Sequence, residues 1–331
     1  MIIGLQGQSS YRIFYKVDSK PNIEKDSITT DIYLLDVYPK ERLSIFYNNA
    51  YYDLDSIEAS LKIIANAAGA VRFDFNKLKS MHWNKGVLLK NDEMSAIENF
   101  DGDSFKYSEN VSINWNILND KKKCGDYDCQ KASGNFRGRN WEAWFTTDIP
   151  LNIFPYKFAG LPGLVYEIDD STNSYRFIFI GLKKINDNPF YPSVFSKAVS
   201  TSKKNYLKAF SNYKKDPSKK LKDGFLVTDS GETMEIFGGF SKKFIAERTN
   251  EIKKQLSENN NPIELEYPVM KKIISDILYY LLILFMSYIF ANKALNVDAF
   301  QMNIFKTGIF GEKLSNLLAY FVLIIDQLYC C

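Results

Sequence analysis

The chain has 331 residues, 46% of them hydrophobic and 15% aromatic, which is enough for a sizeable core and excludes a disordered protein. Its 42 basic and 39 acidic side chains give a formal net charge of +3, so no global field would collect nucleic acid or an anionic bilayer. With one histidine, and with two of its four cysteines at the last two positions, the chain predicts neither a metal centre nor a cofactor.

The first eight residues predict the remnant of a secretory signal peptide. A short apolar run, residues 2–5, precedes a small residue just before Gln8. The alternative is that this run begins a strand. We favour export, which implies a periplasmic or cell-envelope location.

Residues 9–258 predict an α+β domain built on a curved, mainly antiparallel β-sheet with a few helices. Residues 11–17 alternate between apolar and polar side chains, as a half-buried strand does, and residues 32–37 and 43–47 continue a meander. Residues 55–68 have helical spacing. Turn residues then separate strand signals at intervals of about ten, which favours antiparallel pairing. These strand signals are residues 86–89, 105–107, 113–115, 141–146, 164–168 and 176–180.

The remainder of the chain changes from polar to apolar. Residues 199–215 and 241–257 are lysine-rich and helical in pattern, and residues 259–269 are predicted as a linker. Two apolar runs follow, at about 273–292 and 314–331, and the first is long enough to cross a hydrocarbon core of about 30 Å. The sequence thus predicts one or two transmembrane helices and membrane association through this part.

Glycine, proline and aromatic residues are most closely spaced between residues 129 and 170. Gly160 and Gly163 can adopt backbone conformations that other residues avoid, and Pro162 between them has a fixed φ. This combination predicts a tight turn. This stretch resembles the signature of the GLPGLI family of bacterial envelope proteins, whose hexapeptide stands here at residues 160–165. The resemblance implies an exported protein and names no reaction. Phe154 stands where the family pattern has a glycine, which puts the local turn type in doubt.

Residues 270–331 resemble the start of the MauE/DoxX-like redox-associated membrane proteins. Lys271 and Lys272, ahead of an apolar helix, favour a cytoplasmic end, whereas an exported domain would place them outside. This conflict predicts that a neighbouring reading frame is fused to the first protein. The alternative is an ordinary hydrophobic anchor, which would make the whole chain a membrane-anchored structural module.

Cys124 and Cys129 are the only cysteines in the main body, and a hairpin between them would bring the thiols within bridging distance. They are the disulfide candidate. The alternative is that Cys129 pairs elsewhere or is a buried small side chain. His82 has no partner at a recognisable ligand spacing and is predicted to be structural.

A polar and aromatic cluster is the candidate ligand-binding surface. Trp141 and Trp144 fall on opposite faces of a predicted strand, so one belongs to the core and the other to a surface. The alternative is that these aromatic side chains pack as core under the turn. The candidate residues are Lys131, Arg139, Trp144, Lys157, Phe158, Gly160, Pro162 and Gly163.

The absence of a convergent acid, base and nucleophile set in the sequence predicts a non-enzymatic binding or assembly module. Its partner would be a peptide, a lipid or a protein of the envelope. The alternative function is an accessory role in thiol redox or peptide maturation beside a MauE/DoxX-like membrane protein, and it depends on Cys124 and Cys129.

Overall fold

The computed structural model describes residues 9–68, 81–149, 152–227, 233–235 and 238–265. These residues belong to one compact unit, which ends at Leu265. Within this part of the chain, no helix combines the length and the apolar character needed to cross a bilayer. The predicted signal-peptide remnant and the two predicted transmembrane helices lie outside the described residues.

A single large sheet of twelve strands dominates the described part of the chain. In chain order its strands are β1 (Ser10–Ser19), β2 (Thr29–Tyr38), β3 (Leu43–Asn48), β4 (Gly86–Lys90), β5 (Glu93–Phe100), β6 (Asp103–Glu109), β7 (Asn116–Cys124), β8 (Tyr127–Phe136), β9 (Arg139–Thr146), β10 (Leu164–Asp170), β11 (Tyr175–Ile185) and β12 (Val199–Ser200). A separate hairpin joins β13 (Phe225–Val227) and β14 (Thr233–Glu235). The helices are α1 (Asn49–Ala68), α2 (Ser193–Ser196), α3 (Lys203–Lys215), α4 (Lys219–Lys222) and α5 (Lys242–Glu258).

The sheet is open and mainly antiparallel, as the sequence predicts. Its strand order is β12-β6-β5-β4-β3-β2-β1-β11-β10-β9-β8-β7, so most neighbours in space are also neighbours in the chain. Among the described strand pairs only β12 with β6 is parallel. Short loops suffice for such a meander because no crossover helix is needed.

The main core lies on one face of the sheet, which we call the inner face. Tyr15 pairs with Tyr33 across β1 and β2, and Val17 pairs with Phe177 across β1 and β11. All four side chains are fully buried, and they belong to the same core cluster as Trp141 of β9. Directly opposed residues point to one face, so the alternation in the sequence brings these apolar side chains together.

A smaller core covers part of the opposite face. Leu34, Ile45 and Tyr47 pack there against Val194 and Phe195 of α2. Helix α1 also starts on this side, at Asn49, which is six residues earlier than the sequence predicts.

Three segments outside the strands cover the inner face. Ile113 and Trp115 come from the loop before β7, so the predicted strand at 113–115 is wrong. The second segment is the inner loop, residues 152–163, and the third is segment 261–265. Ile263 is fully buried in the main core, so the predicted linker at 259–269 began too early. An apolar side chain every second residue serves a covering loop as well as a strand, which is why period alone misassigned residues 113–115.

The β7 edge of the sheet has features that discourage pairing with another strand. A register shift between Ile117 and Lys121 bulges the strand, and residues 121–123 are three exposed lysines. Bulges and edge lysines oppose the addition of a further strand. We therefore do not expect this edge to bind an extended partner.

Candidate functional site

The candidate ligand-binding residues separate into two groups. Lys131 and Trp144 face each other across β8 and β9 and are partly exposed. Arg139 and Lys157 are buried, with side-chain exposures of 3% and 0%, and Phe158 is fully buried as well. The structure thus does not place Arg139 and Lys157 on an accessible surface with Trp144, because both side chains form ion pairs in the interior.

Trp144 lies between two lysines on the polar side of β9. The Lys122 ammonium is 4.3 Å from the centroid of the indole, and the Lys131 ammonium is 5.9 Å away. Lys131 also pairs with Glu142 at 2.9 Å. Trp141, on the same strand, is only 1% exposed, so the two tryptophans divide between core and surface as strand alternation predicts.

The inner loop packs as core beneath the glycine turn. The Phe158 ring lies 4.5 Å from the Trp141 ring and 5.4 Å from the Phe177 ring, measured between centroids. At Gly163, where φ is +88°, an added Cβ would lie 2.0 Å from the carbonyl oxygen of Thr146. Only glycine fits so close to a neighbouring backbone.

Gly160 has a different role. Its φ is +104°, and an added Cβ would meet Trp115 at 3.4 Å, which is an ordinary contact. The Trp115 indole N–H donates to the Ala159 carbonyl at 2.9 Å. Pro162 is exposed at the tip of the turn. The turn therefore fixes the end of the inner loop against Trp115 and β9.

Arg139 binds segment 261–265 through the backbone and one side chain. Its guanidinium donates to Asn261 Oδ1 at 2.6 Å, to the Pro262 carbonyl at 2.7 Å and to the Ile263 carbonyl at 3.1 Å. Asp170, itself fully buried, holds the same guanidinium at 2.8 Å. The planar fork of an arginine can satisfy several acceptors at once, which a lysine cannot.

Further contacts hold both ends of this segment. The Asn261 side chain donates to the Lys20 carbonyl at 2.7 Å, and the Tyr175 hydroxyl donates to the Asn261 carbonyl at 2.6 Å. At the other end, the Leu265 N–H donates to the Arg137 carbonyl at 2.9 Å.

Glu264 belongs to a network of charged side chains that lie mostly in the interior. We call this network the Lys157 cluster, and its members are Lys157, Lys203, Arg137, Glu109 and Glu264. The Lys157 ammonium donates to Glu264 at 2.6 Å and also to Glu109. Lys203 pairs with Glu109 and lies 3.5 Å from Glu264, and Arg137 donates to Glu109 at 3.2 Å.

Lys157 and Glu264 are both charged at neutral pH. Burial acts to lower the pKa of Lys157, but Glu264 and Glu109 outweigh it and the pKa is raised. Burial likewise acts to raise the pKa of Glu264, but Lys157 and Lys203 bring it down to about 2. Neither of the two groups therefore has the pKa near 7 that a general acid or base would use at neutral pH.

Cys124 and Cys129 are both buried as free thiols at the end of the β7–β8 hairpin. Burial is the main cause that raises the pKa of Cys129, and a hydrogen bond with Cys124 adds to it. Gly125, with φ at +58°, makes the turn between the two strands. The thiols are thus in contact, and their disulfide stays a prediction.

An open cleft of about 450 Å³ lies at the other end of the inner loop. Its lining combines the apolar residues Leu35, Val37, Leu89, Ile153 and Phe154 with the polar residues Arg42, Ser44, Asp92 and Asn152. Arg42 and Asp92 form an ion pair at its rim, and both side chains are mostly exposed. None of the cleft residues was among the candidates from the sequence, because the two turns and the inner loop that form it are far apart in the chain.

His82 lies beside a carboxylate, with its Nδ1 3.5 Å from Asp31, and its side chain is 44% exposed. In the part of the chain that the structure describes, no three side chains of histidine, cysteine, aspartate or glutamate are grouped as metal ligands. Asp31 also accepts from the backbone of Trp83 at 2.9 Å, which gives it a structural role.

The sequence comparisons concern a short part of the chain. A family described as "Protein of unknown function (Porph_ging)" matches residues 135–167, which run from the end of β8 through the inner loop to β10. No curated protein matches the chain. These findings support neither the GLPGLI name nor a fusion to a MauE/DoxX-like protein.

The structural comparisons are distant. PNGF-II in its C2 crystal form is 15% identical with a TM-score of 0.43, and in its P21 form 16% identical with a TM-score of 0.41. Each alignment covers 66% of this chain and 34% of PNGF-II, so this chain spans about a third of that protein. An uncharacterized conserved protein from Thermus thermophilus is 8% identical with a TM-score of 0.30, covering 58% of this chain and 91% of that one. Similarity at this level carries no argument about function.

Proposed function

We propose that the chain is a non-enzymatic binding module that holds an apolar ligand in the cleft beside Phe154. The observation that carries this proposal is the cleft of about 450 Å³, which apolar and polar side chains line together and whose rim is charged. Ligand sites commonly combine a mostly apolar lining of this size with a few polar groups that orient the ligand. An aliphatic chain or an apolar peptide side chain has matching chemistry.

The cleft wall is well supported. Leu35 is buried within strand β2, Leu89 lies in strand β4, and Ile153 is bound to β10 through hydrogen bonds with Gly163 and Val165. A wall held by a sheet changes little when a ligand enters, so less ordering opposes binding.

The buried charges support a binding role in place of catalysis. The raised pKa of Lys157 and the pKa of Glu264 near 2 keep both groups charged throughout the neutral range. A general acid or base operates best with a pKa close to the working pH.

A fluorescence assay with the full chain tests the proposal. The probe is N-phenyl-1-naphthylamine, a neutral apolar dye. Leu89→Asp places a charge in the cleft wall, and the matched control, Ile180→Asp, places the same charge at a side chain of β11 that is 53% exposed. Apolar runs elsewhere in the chain also take up the dye, so the measured quantity is the difference between the two variants.

We expect saturable dye binding to the parent chain and to Ile180→Asp, and the loss of one binding component in Leu89→Asp. Equal binding by the two variants, with both folded, would remove the cleft as the ligand site.

The cellular setting is part of the proposal. The signal-like residues 1–8 and the GLPGLI-like stretch support export to the periplasm or cell envelope, and the apolar runs after residue 270 support membrane association. The partner would then be an envelope peptide, lipid or protein, and residues 270–331 would derive from a MauE/DoxX-like neighbour. Fractionation of cells that produce the natural gene tests this setting. Recovery in the cytosol alone would contradict it.

The contact between Cys124 and Cys129 favours a second candidate, an accessory role in thiol redox. Oxidation would join the two sulfur atoms, release two protons and pass two electrons to a disulfide oxidant such as oxidised glutathione. The raised pKa of Cys129 slows such exchange because the thiolate is the reactive form. Thiol trapping across a range of glutathione potentials tests the role, and a pair that stays reduced throughout would remove it.

A further inference from the structure

Segment 261–265 is bound as a peptide is bound in a recognition groove. Its backbone bends at Ile263 and contacts groups that come from distant parts of the chain, namely the β1–β2 loop, the β8–β9 turn, β11 and the inner loop. We call the groups that contact it the acceptor site. They are Lys20, Pro21, Arg137, Gly138, Arg139, Tyr156, Lys157, Tyr175 and Lys203.

We propose that the acceptor site binds peptides in which an aliphatic residue is followed by a glutamate, and that segment 261–265 occupies it in cis. This site lies at the opposite ends of the strands from the cleft, because the β1–β2 loop and the β2–β3 turn are at opposite ends of β2. The proposal is therefore independent of the apolar ligand.

The acceptor site distinguishes peptide positions by their chemistry. Arg139 and Tyr175 bind backbone carbonyls, which any sequence supplies. The position that Ile263 occupies selects for an apolar side chain, because Ile263 is fully buried among the side chains of the main core. A polar side chain there would lose its hydration without gaining a partner.

Selectivity for glutamate comes from charge. The Lys157 ammonium donates to the Glu264 carboxylate at 2.6 Å, and the Lys203 ammonium lies 3.5 Å from it. The Tyr156 hydroxyl also donates to this carboxylate at 2.6 Å. Charge-assisted hydrogen bonds of this kind are the stronger class.

The segment is held mainly by the acceptor site itself. The preceding helix, α5, contains no fully buried residue, and the exposed Lys25–Glu258 pair joins its C-terminal end to the β1–β2 loop. Surface pairs contribute little to stability. The tether nevertheless keeps the segment at an effective concentration in the millimolar range, so a free peptide competes poorly with it in the parent chain.

The test uses the full chain and the fluorescein-labelled peptide Asn-Asn-Pro-Ile-Glu-Leu. In the opened variant, Ile263→Asp with Glu264→Lys, the cis segment no longer matches the site. The matched control, Ile252→Asp, introduces the same aspartate on α5. Fluorescence anisotropy measures binding, and circular dichroism checks the fold of each variant.

We expect the opened variant to bind the peptide at least about tenfold more tightly than the parent chain and Ile252→Asp do, because the cis competitor is removed. A peptide with lysine in place of glutamate should bind about tenfold more weakly or worse. Tyr156→Phe with Lys203→Gln, added to the opened variant, should weaken binding of the original peptide similarly. A surface that binds peptides non-specifically would not show these losses of affinity.

A folded opened variant that fails to bind the peptide at millimolar concentration would overturn the proposal, as would equal binding of the lysine peptide. If the double substitution prevents folding, Glu264→Gln carries the same test, because it removes only the charge and leaves Ile263 in place.

Discussion

Gly163→Ala is expected to be the most damaging alanine substitution in the glycine turn, and Gly160→Ala is its matched control. Both glycines have positive φ, at +88° and +104°, so both variants carry the strain of a left-handed conformation, about 1–2 kcal/mol. The two positions differ in what the new methyl group meets.

At Gly163 the methyl group would lie 2.0 Å from the Thr146 carbonyl oxygen and 3.1 Å from the Thr147 Cα. These are backbone atoms of β9 and its continuation, so the turn must move away, at about 1–3 kcal/mol for overpacking. That movement also weakens the hydrogen bond that the Ile153 N–H donates to the Gly163 carbonyl, which contributes about 1 kcal/mol. The total loss is about 3–6 kcal/mol. At Gly160 the nearest atom is a Trp115 carbon at 3.4 Å, so the loss is about 1–2 kcal/mol.

Urea unfolding of the full chain, followed by tryptophan emission, measures both losses. The emission reports on the relevant region because Trp115 and Trp141 pack against the inner loop. The reasoning is refuted if Gly163→Ala unfolds within about 1 kcal/mol of the parent chain, or if the two variants lose equal stability.

Three further predictions concern charge and burial. Lys157→Met should lower the free energy of unfolding by about 3–5 kcal/mol because it removes a fully buried cation that contacts both Glu109 and Glu264. Lys131→Met, which loses a surface pair, should cost under about 1 kcal/mol in the same urea assay. The pKa of Glu264 is lowered in the folded state, so its contribution of about 3 kcal/mol to the free energy of unfolding should be present above pH 5 and lost between about pH 5 and pH 2. Glu264→Gln should therefore flatten that part of a plot of stability against pH. An unchanged slope would contradict the lowered pKa of Glu264. Trp141→Ala should lower the free energy of unfolding by about 3–5 kcal/mol because it opens a cavity in the core. Trp144→Ala should lower it by only about 1 kcal/mol, through the loss of its contacts with two lysines. Comparable losses of stability in thermal unfolding would contradict the placement of Trp141 in the core and Trp144 at the surface.

The strands were the part of the fold most accessible from sequence. Their period of two and their turn spacing correctly predict a mainly antiparallel sheet. The same period puts Trp141 and Trp144 on opposite faces, and the structure shows that Trp141 is the one in the core. Residues 113–115 alternate between apolar and polar side chains as a strand does, yet they cover the sheet and do not join it. A pattern of burial cannot tell which hydrogen-bond partner the backbone will find.

The buried charges were less accessible. The sequence predicts Lys157 as an exposed binding residue because a lysine is rarely buried. Its partners Glu109 and Glu264 lie 48 and 107 positions away, so nothing local signals that its charge will be neutralised in the core. Segment 261–265 was also missed, because the three asparagines at 259–261 and Pro262 after α5 are typical of a linker.

The stretch matched by the family description, residues 135–167, is explained largely by packing. Gly163 is required by the Thr146 carbonyl, Trp141 and Phe158 fill the main core, and Arg139 has a buried partner in Asp170. These constraints are properties of the scaffold and are independent of any ligand. Groups of both proposed sites lie in the same stretch, Ile153 and Phe154 in the cleft and Tyr156 and Lys157 in the acceptor site, whereas Leu89 and Lys203 lie outside it. We therefore expect that substitutions at Gly163, Trp141 or Phe158 mainly alter stability, and that substitutions at Leu89 or Lys203 alter binding in a chain that still folds.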